Sequence, residues 1–275
     1  MLYIRKMNEF VDNKTLRRRF NPDGSILRQH QLRMLEMLKY VDRICREHGI
    51  KYWLSSGTLI GAVRHGGFIP WDDDLDIEML MDDYKKLRDI LYKEKSSYVL
   101  QTHKTDPNYF APYAKLRDLH SYIKEETSND INYRYHGVYI DIFIMEPSSS
   151  LFLTRASLFL QEKMLFAPNV KLKKMFMRKL YFPTAYFLLY KLIFPVFRWL
   201  SKWKADGQLR HTLGSCLLMS REVKDIFPLT EISFENYSFP VPGNYDTYLT
   251  KIYGDYMRLP NLDSIALHTV DVKLY

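Results

Sequence analysis

Cysteine is nearly absent: Cys45 and Cys216 are the two in 275 residues, far apart and in no metal-ligand spacing. That excludes a disulfide framework and points to a reducing compartment. The opening residues, Met1 to Phe10, lack both an uninterrupted apolar core and a small-residue cleavage site, so no secretory signal is read there. Internal repeats and low-complexity tracts are missing. His65, His103, His136 and His268 share no ligand spacing, which argues against a histidine metal centre. Acids are scarce in one region. Between residues 151 and 210, twelve Lys and Arg face Glu162 and Asp206, a local +10 in a chain of net +8, leaving about −2 elsewhere. Basicity is thus regional, and with no recognition module legible, nucleic acid is not an expected partner.

What is present suits a globular protein. With 47% hydrophobic and 26% charged residues, the chain can bury a sizeable core and disorder is not expected over most of it. Residues 1–24 are polar and end in the turn signal Asn21-Pro22-Asp23-Gly24. Residues 25–48 place Leu27, Leu35, Leu38, Val41, Ile44 and Cys45 at helical spacing, with Arg28, Lys39, Asp42 and Arg46 mostly opposite and Gly49 as the stop. A short strand over 50–54 then delivers the chain to a helix over 58–64. Residues 75–81 alternate, Asp74, Asp76 and Glu78 on one face and Leu75, Ile77 and Met79 on the other. Asp82 or Asp83 is the expected cap of a helix reaching residue 93. A strand over 98–102 and a hairpin pairing 109–117 with 121–124 follow. Residues 138–145 form a strand whose apolar run is broken by Asp141, either solvated at an edge or matched with a cation. Residues 226–260 read as loop-rich, with a short helix over 245–253 ended by Gly254.

One stretch has no explanation in core packing. Ser55-Ser56-Gly57-Thr58 opens residues 55–76, and Asp72, Asp73, Asp74 and Asp76 close it. Like charges this close repel, and solvent or a cation relieves them. A strand-to-helix turn at Gly57 presents backbone N–H groups and a helix dipole to a phosphate, although such a turn alone is weak evidence. Asp74 and Asp76, on one strand face, suit one hard cation; Asp141, on another strand, suits either a second metal ligand or a proton acceptor. Arg64, Lys115 and Arg117 are the candidate phosphate partners, with ordinary surface charge as the alternative. Together these residues suit displacement at phosphorus with Mg²⁺ neutralising a diphosphate.

The motif Ser55-Ser56-Gly57-Thr58-Leu59-Ile60-Gly61-Ala62-Val63-Arg64-His65, followed by Ile69-Pro70-Trp71-Asp72-Asp73-Asp74-Leu75-Asp76-Ile77, resembles the LicD family signature. That family resembles the fukutin-type phosphotransferases and belongs to the nucleotidyltransferase superfamily. Further similar motifs are Tyr113-Ala114-Lys115-Leu116-Arg117-Asp118, Gly137-Val138-Tyr139-Ile140-Asp141, Phe227-Pro228-Leu229, and Tyr253-Gly254-Asp255-Tyr256. Two departures stand out: Phe143-Ile144-Met145-Glu146-Pro147 replaces the usual Phe-Pro-Leu-Asp, and Glu78 occupies a site often held by a small residue and adds charge beside the presumed metals. The resemblance implies an α/β (α+β) nucleotidyltransferase-like core of a small mixed sheet with flanking helices. It implies a phosphotransferase in which Asp74, Asp76 and Asp141 bind Mg²⁺ (Mn²⁺ as the alternative) and carry catalysis. Ser56, Gly57 and Thr58, with Arg64, Lys115 and Arg117, would hold donor phosphate. The implied donor is CDP-choline or a related CDP-alcohol. The implied acceptor is a hydroxyl of a cell-surface glycan, of the lipopolysaccharide or teichoic acid kind, or its lipid-linked precursor.

The expected organisation is a catalytic core over 25–150, a basic aromatic helical insertion over 151–210, and a C-terminal segment over 211–275 packed on the core. Helices are expected over 151–166, 171–182 and 184–203. Lys191, Pro195 and Arg198 interrupt the ~20 apolar residues a membrane span needs. Packing on the protein's own core, resting on an anionic membrane, and spanning one all stay open; the expectation adopted is a cytoplasmic protein, peripheral at the inner membrane face. Two rival functions remain beside phospho-alcohol transfer. One is transfer of the nucleotide itself with pyrophosphate release; the other is a non-catalytic membrane-surface binding protein.

Overall fold

The computed structural model describes residues 12–125, 132–171, 175–203, 205–265 and 269–275; the chain's opening residues, Lys173, Lys174, Lys204 and His268 lie outside them. Two helices come first, α1 (Asn13–Phe20) and α2 (Ile26–Glu47). Asp12 and Ser25 cap them, accepting hydrogen bonds from the backbone N–H of Thr15 and Arg28 at 2.9 and 3.2 Å. α1 lies in the stretch read as polar: Leu16 is its one buried residue, so no apolar stripe announces it. In α2 the apolar spacing holds, with Met34, Leu35, Leu38, Val41, Ile44 and Cys45 all buried.

The central elements are β1 (Trp53–Leu54), α3 (Ser56–His65), β2 (Asp76–Leu80), α4 (Met81–Leu91), β3 (Tyr98–Gln101), β4 (Ala114–Asp118), β5 (Ser121–Glu125) and β6 (Tyr139–Pro147). Next comes α5 (Leu151–Gln161), which passes through a π-helical turn, Glu162–Phe166, into α6 (Ala167–Lys171). α7 (Met175–Phe187) passes through a second π-helical turn, Leu188–Ile193, into α8 (Phe194–Lys202). The chain ends with β7 (Gln208–His211), β8 (Arg221–Glu222), α9 (Val223–Ile226), β9 (Thr230–Phe234), β10 (Tyr237–Val241), α10 (Tyr245–Tyr253) and β11 (Thr269–Leu274).

The main sheet is mixed, in the order β1-β2-β6-β4-β3, and β7 carries β8 onto the free end of β6. β2 and β6 run parallel and every other pair is antiparallel. Because β6 is long, β4 pairs with its first half and β7 with its second. α2, α3 and α4 bury their apolar faces with this sheet in one core that includes Met34, Leu38, Trp53, Leu59, Ile77, Leu87 and Ile142. The fold is therefore the expected α/β one, a mixed sheet with flanking helices.

Several local expectations fail for identifiable reasons. Leu80, rather than Asp82 or Asp83, occupies the cap position of α4 and makes no side-chain cap. The two aspartates sit in the first turn, where they favour the helix dipole. β4 and β5 form no hairpin with each other: β4 inserts between β3 and β6, and β5 pairs with β11. The loop-rich tail contains the hairpin β9–β10. Its two-residue turn, Glu235-Asn236, has φ of 50° and 67°, the left-handed geometry of a type I′ turn, built here without glycine. The helix break expected near Pro183 does not occur, and Pro183 lies inside α7. Pro195 falls in the first turn of α8 directly after the π-helical turn, whose changed bonding pattern tolerates a residue without an N–H.

The α7–α8 segment has two faces. Phe182, Ala185, Leu189 and Phe194 pack with Phe110, Leu165 and Leu213 in a second core. Phe176, Leu180, Trp199 and Trp203 are 68–80% exposed, so packing on the protein's own core leaves the outer face uncovered. Among the described residues, Phe176–Lys202 is the one helical run long and apolar enough to cross a membrane, and 22% of its most apolar window is buried.

The hairpin turn is anchored from the other end of the chain. Arg28, expected on the polar face of α2, is buried, and its Nη2 stands 2.6 Å from Glu235 Oε2. Glu235 also accepts from the N–H of Phe68 at 3.2 Å. Removing one partner of a buried pair leaves the other charge uncompensated, so Arg28→Ala should cost about 3 kcal/mol in urea unfolding. A loss within the error of the measurement would show that the pair contributes nothing.

Candidate active site

β1, α3, β2 and β6 meet at one point. Ser55 N–H donates to Asp76 O at 3.1 Å, Asp76 N–H donates to Thr58 Oγ1 at 2.8 Å, and Asp141 N–H donates to Leu75 O at 2.8 Å. These bonds tie the Gly57 turn to the start of β2 and tie β2 to β6. In the parallel register Asp76 stands opposite Asp141, so their side chains project from the same face. β4 brings Lys115 opposite Asp141 from the other side, with Lys115 Nζ 3.0 Å from Asp141 Oδ1. The cationic partner expected for Asp141 is therefore Lys115, which also lies 3.2 Å from the centre of the Tyr139 ring.

Both carboxylates are buried, Asp76 at 7% and Asp141 at 8% exposure. Burial pushes the Asp76 carboxyl well above its ordinary range, and Asp74, Asp141 and Asp72 push it further, with Lys115 opposing. Burial also raises Asp141, while Lys115 pulls it back and Asp74 pushes it up. One ammonium thus serves a group of mutually repelling carboxylates. β2 begins at Asp76, leaving Asp74 in the segment that leads into the strand, yet Asp74 still bears on Asp76, Asp141 and Asp72.

Asp72, which strand alternation does not single out, belongs to this group. Burial first, then its contact with Asp74, drives its carboxyl well upward. A Cβ at Gly57 would come within 2.7 Å of Asp72 Oδ2, so glycine is what lets the turn and the acidic loop approach. Asp73 is buried, and its charge acts both on Asp72 and on buried His30 of α2. No sequence signal separated these neighbouring aspartates.

Ser56, the first residue of α3, has φ of 48°, a left-handed conformation that is strained for serine. Burial raises the pKa of the Tyr253 hydroxyl at the end of α10 and Ser56 pulls it back, a proximity that sequence reading did not find. Ser55 supplies no side-chain cap to α3. The expected phosphate-binding residues are divided among different surroundings. Ser56, Gly57 and Thr58 sit at the acidic cluster, and the buried Thr58 hydroxyl receives the Asp76 amide. Arg64 is half-buried, donates to the carbonyl of Tyr256 at 2.9 Å, and feels the charge of Asp72. Lys115 is engaged with Asp141, and Arg117 is 1% exposed, donating to Gln101 Oε1 and to the carbonyl of Gly137, each at 2.8 Å.

Glu78 differs from what the sequence suggested. Its Oε2 accepts from Trp53 Nε1–H at 2.9 Å and from the Tyr248 hydroxyl at 2.7 Å; His211 Nε2 lies 3.0 Å from Oε1 and Arg221 Nη2 3.6 Å. Burial alone would raise Glu78, but Arg221, His211 and Tyr248 outweigh it and hold the carboxyl at about 2. Its charge is locally matched and adds little to the repulsion around Asp76.

A metal requirement can be tested against these residues. The donor set is all carboxylate oxygen, and Asp141 Oδ1 receives no well-aligned hydrogen bond although Lys115 is near. Among the described residues no three His, Cys, Asp or Glu groups form a finished metal cage. The carboxylate oxygens of Asp76 and Asp141 are the donor type that Mg²⁺ takes, one or two at a time.

A strand-to-helix glycine turn beside carboxylates on neighbouring strands of a mixed sheet defines a nucleotidyltransferase-like core. The family model LicD/FKTN/FKRP, nucleotidyltransferase domain, matches residues 49–196, and the protein belongs to that family as a LicD-type transferase. It is 29% identical over 249 residues to the lipopolysaccharide cholinephosphotransferase LicD of Haemophilus influenzae, covering 85% of this chain and 92% of that protein. Over 64 residues it is 38% identical to the human ribitol 5-phosphate transferase FKRP, covering 23% of this chain and 13% of that protein. A yeast relative, mannosyltransferase regulator 4, is 28% identical over 140 residues, covering 49% of this chain and 12% of that protein.

The raised carboxyl pKa carries a stability signature. The folded state holds a proton on Asp76 above the ordinary value of 3.8, so in metal-free buffer this group's contribution falls as pH rises through that window. Asp76→Asn removes the penalty. Relative to the unsubstituted protein it should gain stability progressively as pH rises above about 4, as read from melting curves in chelator. A difference that does not change with pH would contradict the assignment.

Proposed function

We propose that the protein transfers phosphocholine, or a similar phospho-alcohol, from a CDP-activated donor to a hydroxyl of a cell-surface glycan or its lipid-linked precursor, releasing CMP. The observation that carries the reading is the Asp76–Asp141 pair at the Gly57 turn, in a chain that aligns with nearly the whole length of a cholinephosphotransferase. The backbone of Ser56, Gly57 and Thr58 faces donor phosphate at the start of α3, where the helix dipole favours an anion. Arg64 adds positive charge on the Asp72 side.

The acceptor oxygen attacks the phosphorus bearing the alcohol, and the bond from that phosphorus to the oxygen shared with CMP breaks. CMP leaves with the electron pair. Asp141 takes the acceptor proton; its raised pKa suits a base, and Lys115 keeps it ionised beforehand. Asp76 and Asp141, with Asp74 adjoining, would hold Mg²⁺ or Mn²⁺, which would neutralise the diphosphate. Lys115 and Arg117 act by fixing Asp141 and β4.

The exposed aromatic face of α7 and α8 and the +10 charge of residues 151–210 support a peripheral position on the inner, anionic face of the cytoplasmic membrane. Lipid-linked glycan precursors assembled on that face would lie within reach.

Incubation with a panel of CDP-alcohols and Mg²⁺ should release CMP, most strongly with one head group. Asp141→Asn should lower that rate by roughly 10²–10⁴-fold, with the folded state checked by circular dichroism. Pyrophosphate release from a nucleoside triphosphate, with no CMP from any CDP-alcohol, would replace this reading with nucleotide transfer.

A further inference from the structure

The helical segment borders an open cavity of about 900 Å³, within the range of small-molecule sites. α6 with the preceding π-helical turn forms one wall, α7 and the start of the following turn the other. Apolar side chains such as Ala167, Leu180 and Leu188 dominate the lining, with Thr184 among the few polar ones. Among the described residues, its charged lining groups are Lys163 and Lys171, and no acid lines it. Leu180 and Leu188 are exposed as well as lining, so the cavity opens onto the apolar outer face of α7.

These features select an occupant. An uncharged apolar molecule would make no use of the two exposed lysines, and a soluble anion would leave the apolar walls wet. A single hydrocarbon chain with an anionic head satisfies both. The opening lies on the surface that a bilayer would cover, which names the source. We propose that this cavity takes up the chain of one anionic lipid drawn from a bilayer, its phosphate held by Lys163 and Lys171. The proposal rests on the membrane-facing reading of this segment and is independent of the chemistry at Asp76 and Asp141.

The test uses dodecyl phosphate as a monomer, below its micelle concentration, followed by titration calorimetry on the full chain. Dodecyl phosphate should bind at least about tenfold more tightly than dodecyl maltoside. Thr184→Trp, from an exposed lining position, should obstruct the cavity and weaken binding by about tenfold or more while CMP release in solution stays unchanged. Ala167→Trp, from the facing wall, should do the same and covers the case in which the first variant fails to fold. Charge reversal of both lysines to Glu should abolish the preference for phosphate over maltoside. Flotation with phosphatidylglycerol vesicles should persist in Thr184→Trp, because the aromatic face is intact.

No binding of dodecyl phosphate by the unsubstituted protein would overturn the proposal, as would unchanged binding by the obstructed cavities. Equal affinity for the neutral detergent would overturn the assignment of the lysines. Binding of dodecyl phosphate without vesicle flotation would overturn the bilayer as its source.

Discussion

The parallel pairing of β2 with β6 is the constraint on which the site depends. It sets Asp76 directly opposite Asp141, and the ladder prevents the two buried carboxylates from moving apart. Repulsion between them, added to by Asp72 and Asp74, is offset within the chain chiefly by Lys115. The surrounding bonds hold this arrangement in place: Ser55 and Thr58 clamp the start of β2, and the Asp141 amide reaches back to Leu75. Ordered backbone thus maintains a charge distribution that free side chains would disperse.

Two acids on the same strand show how partners decide a role. Glu78, two residues beyond Asp76, is surrounded by Trp53, Tyr248, His211 and Arg221 and stays strongly acidic. That network joins β7, β8 and α10 to the centre of the sheet and has a structural character. Asp76 has carboxylates for neighbours and its pKa moves the other way. Both are buried, so burial alone does not distinguish them; the sign of the neighbouring charge does.

The helical segment separates packing from exposure on one continuous run. Its inner face closes a second core with Phe110, Leu165 and Leu213, which fixes its position against the catalytic domain. The outer face keeps large aromatic groups in contact with solvent, in a region where basic residues far outnumber acidic ones. Apolar surface of that extent on a basic background is the combination that a negatively charged lipid surface complements.

By itself the sequence determined the elements whose signals are local. α2, β2, β6 and α10 were legible because helical or alternating periodicity is a property of consecutive residues, and the Gly57 turn and acidic cluster were legible as motifs. α1 was not, since a single buried residue makes no stripe. Nor was the β9–β10 hairpin, whose Glu235-Asn236 turn lacks the usual glycine and is held by Arg28, 207 residues away. Only the tertiary structure decided that β5 pairs with β11, that Asp72 joins the site, and that Arg117 is buried in support of β4. The physical reason is common to all of these. Partner choice across distant strands, and the fraction of a charge left unmatched, depend on what the folded chain brings alongside, which no window of neighbouring residues contains.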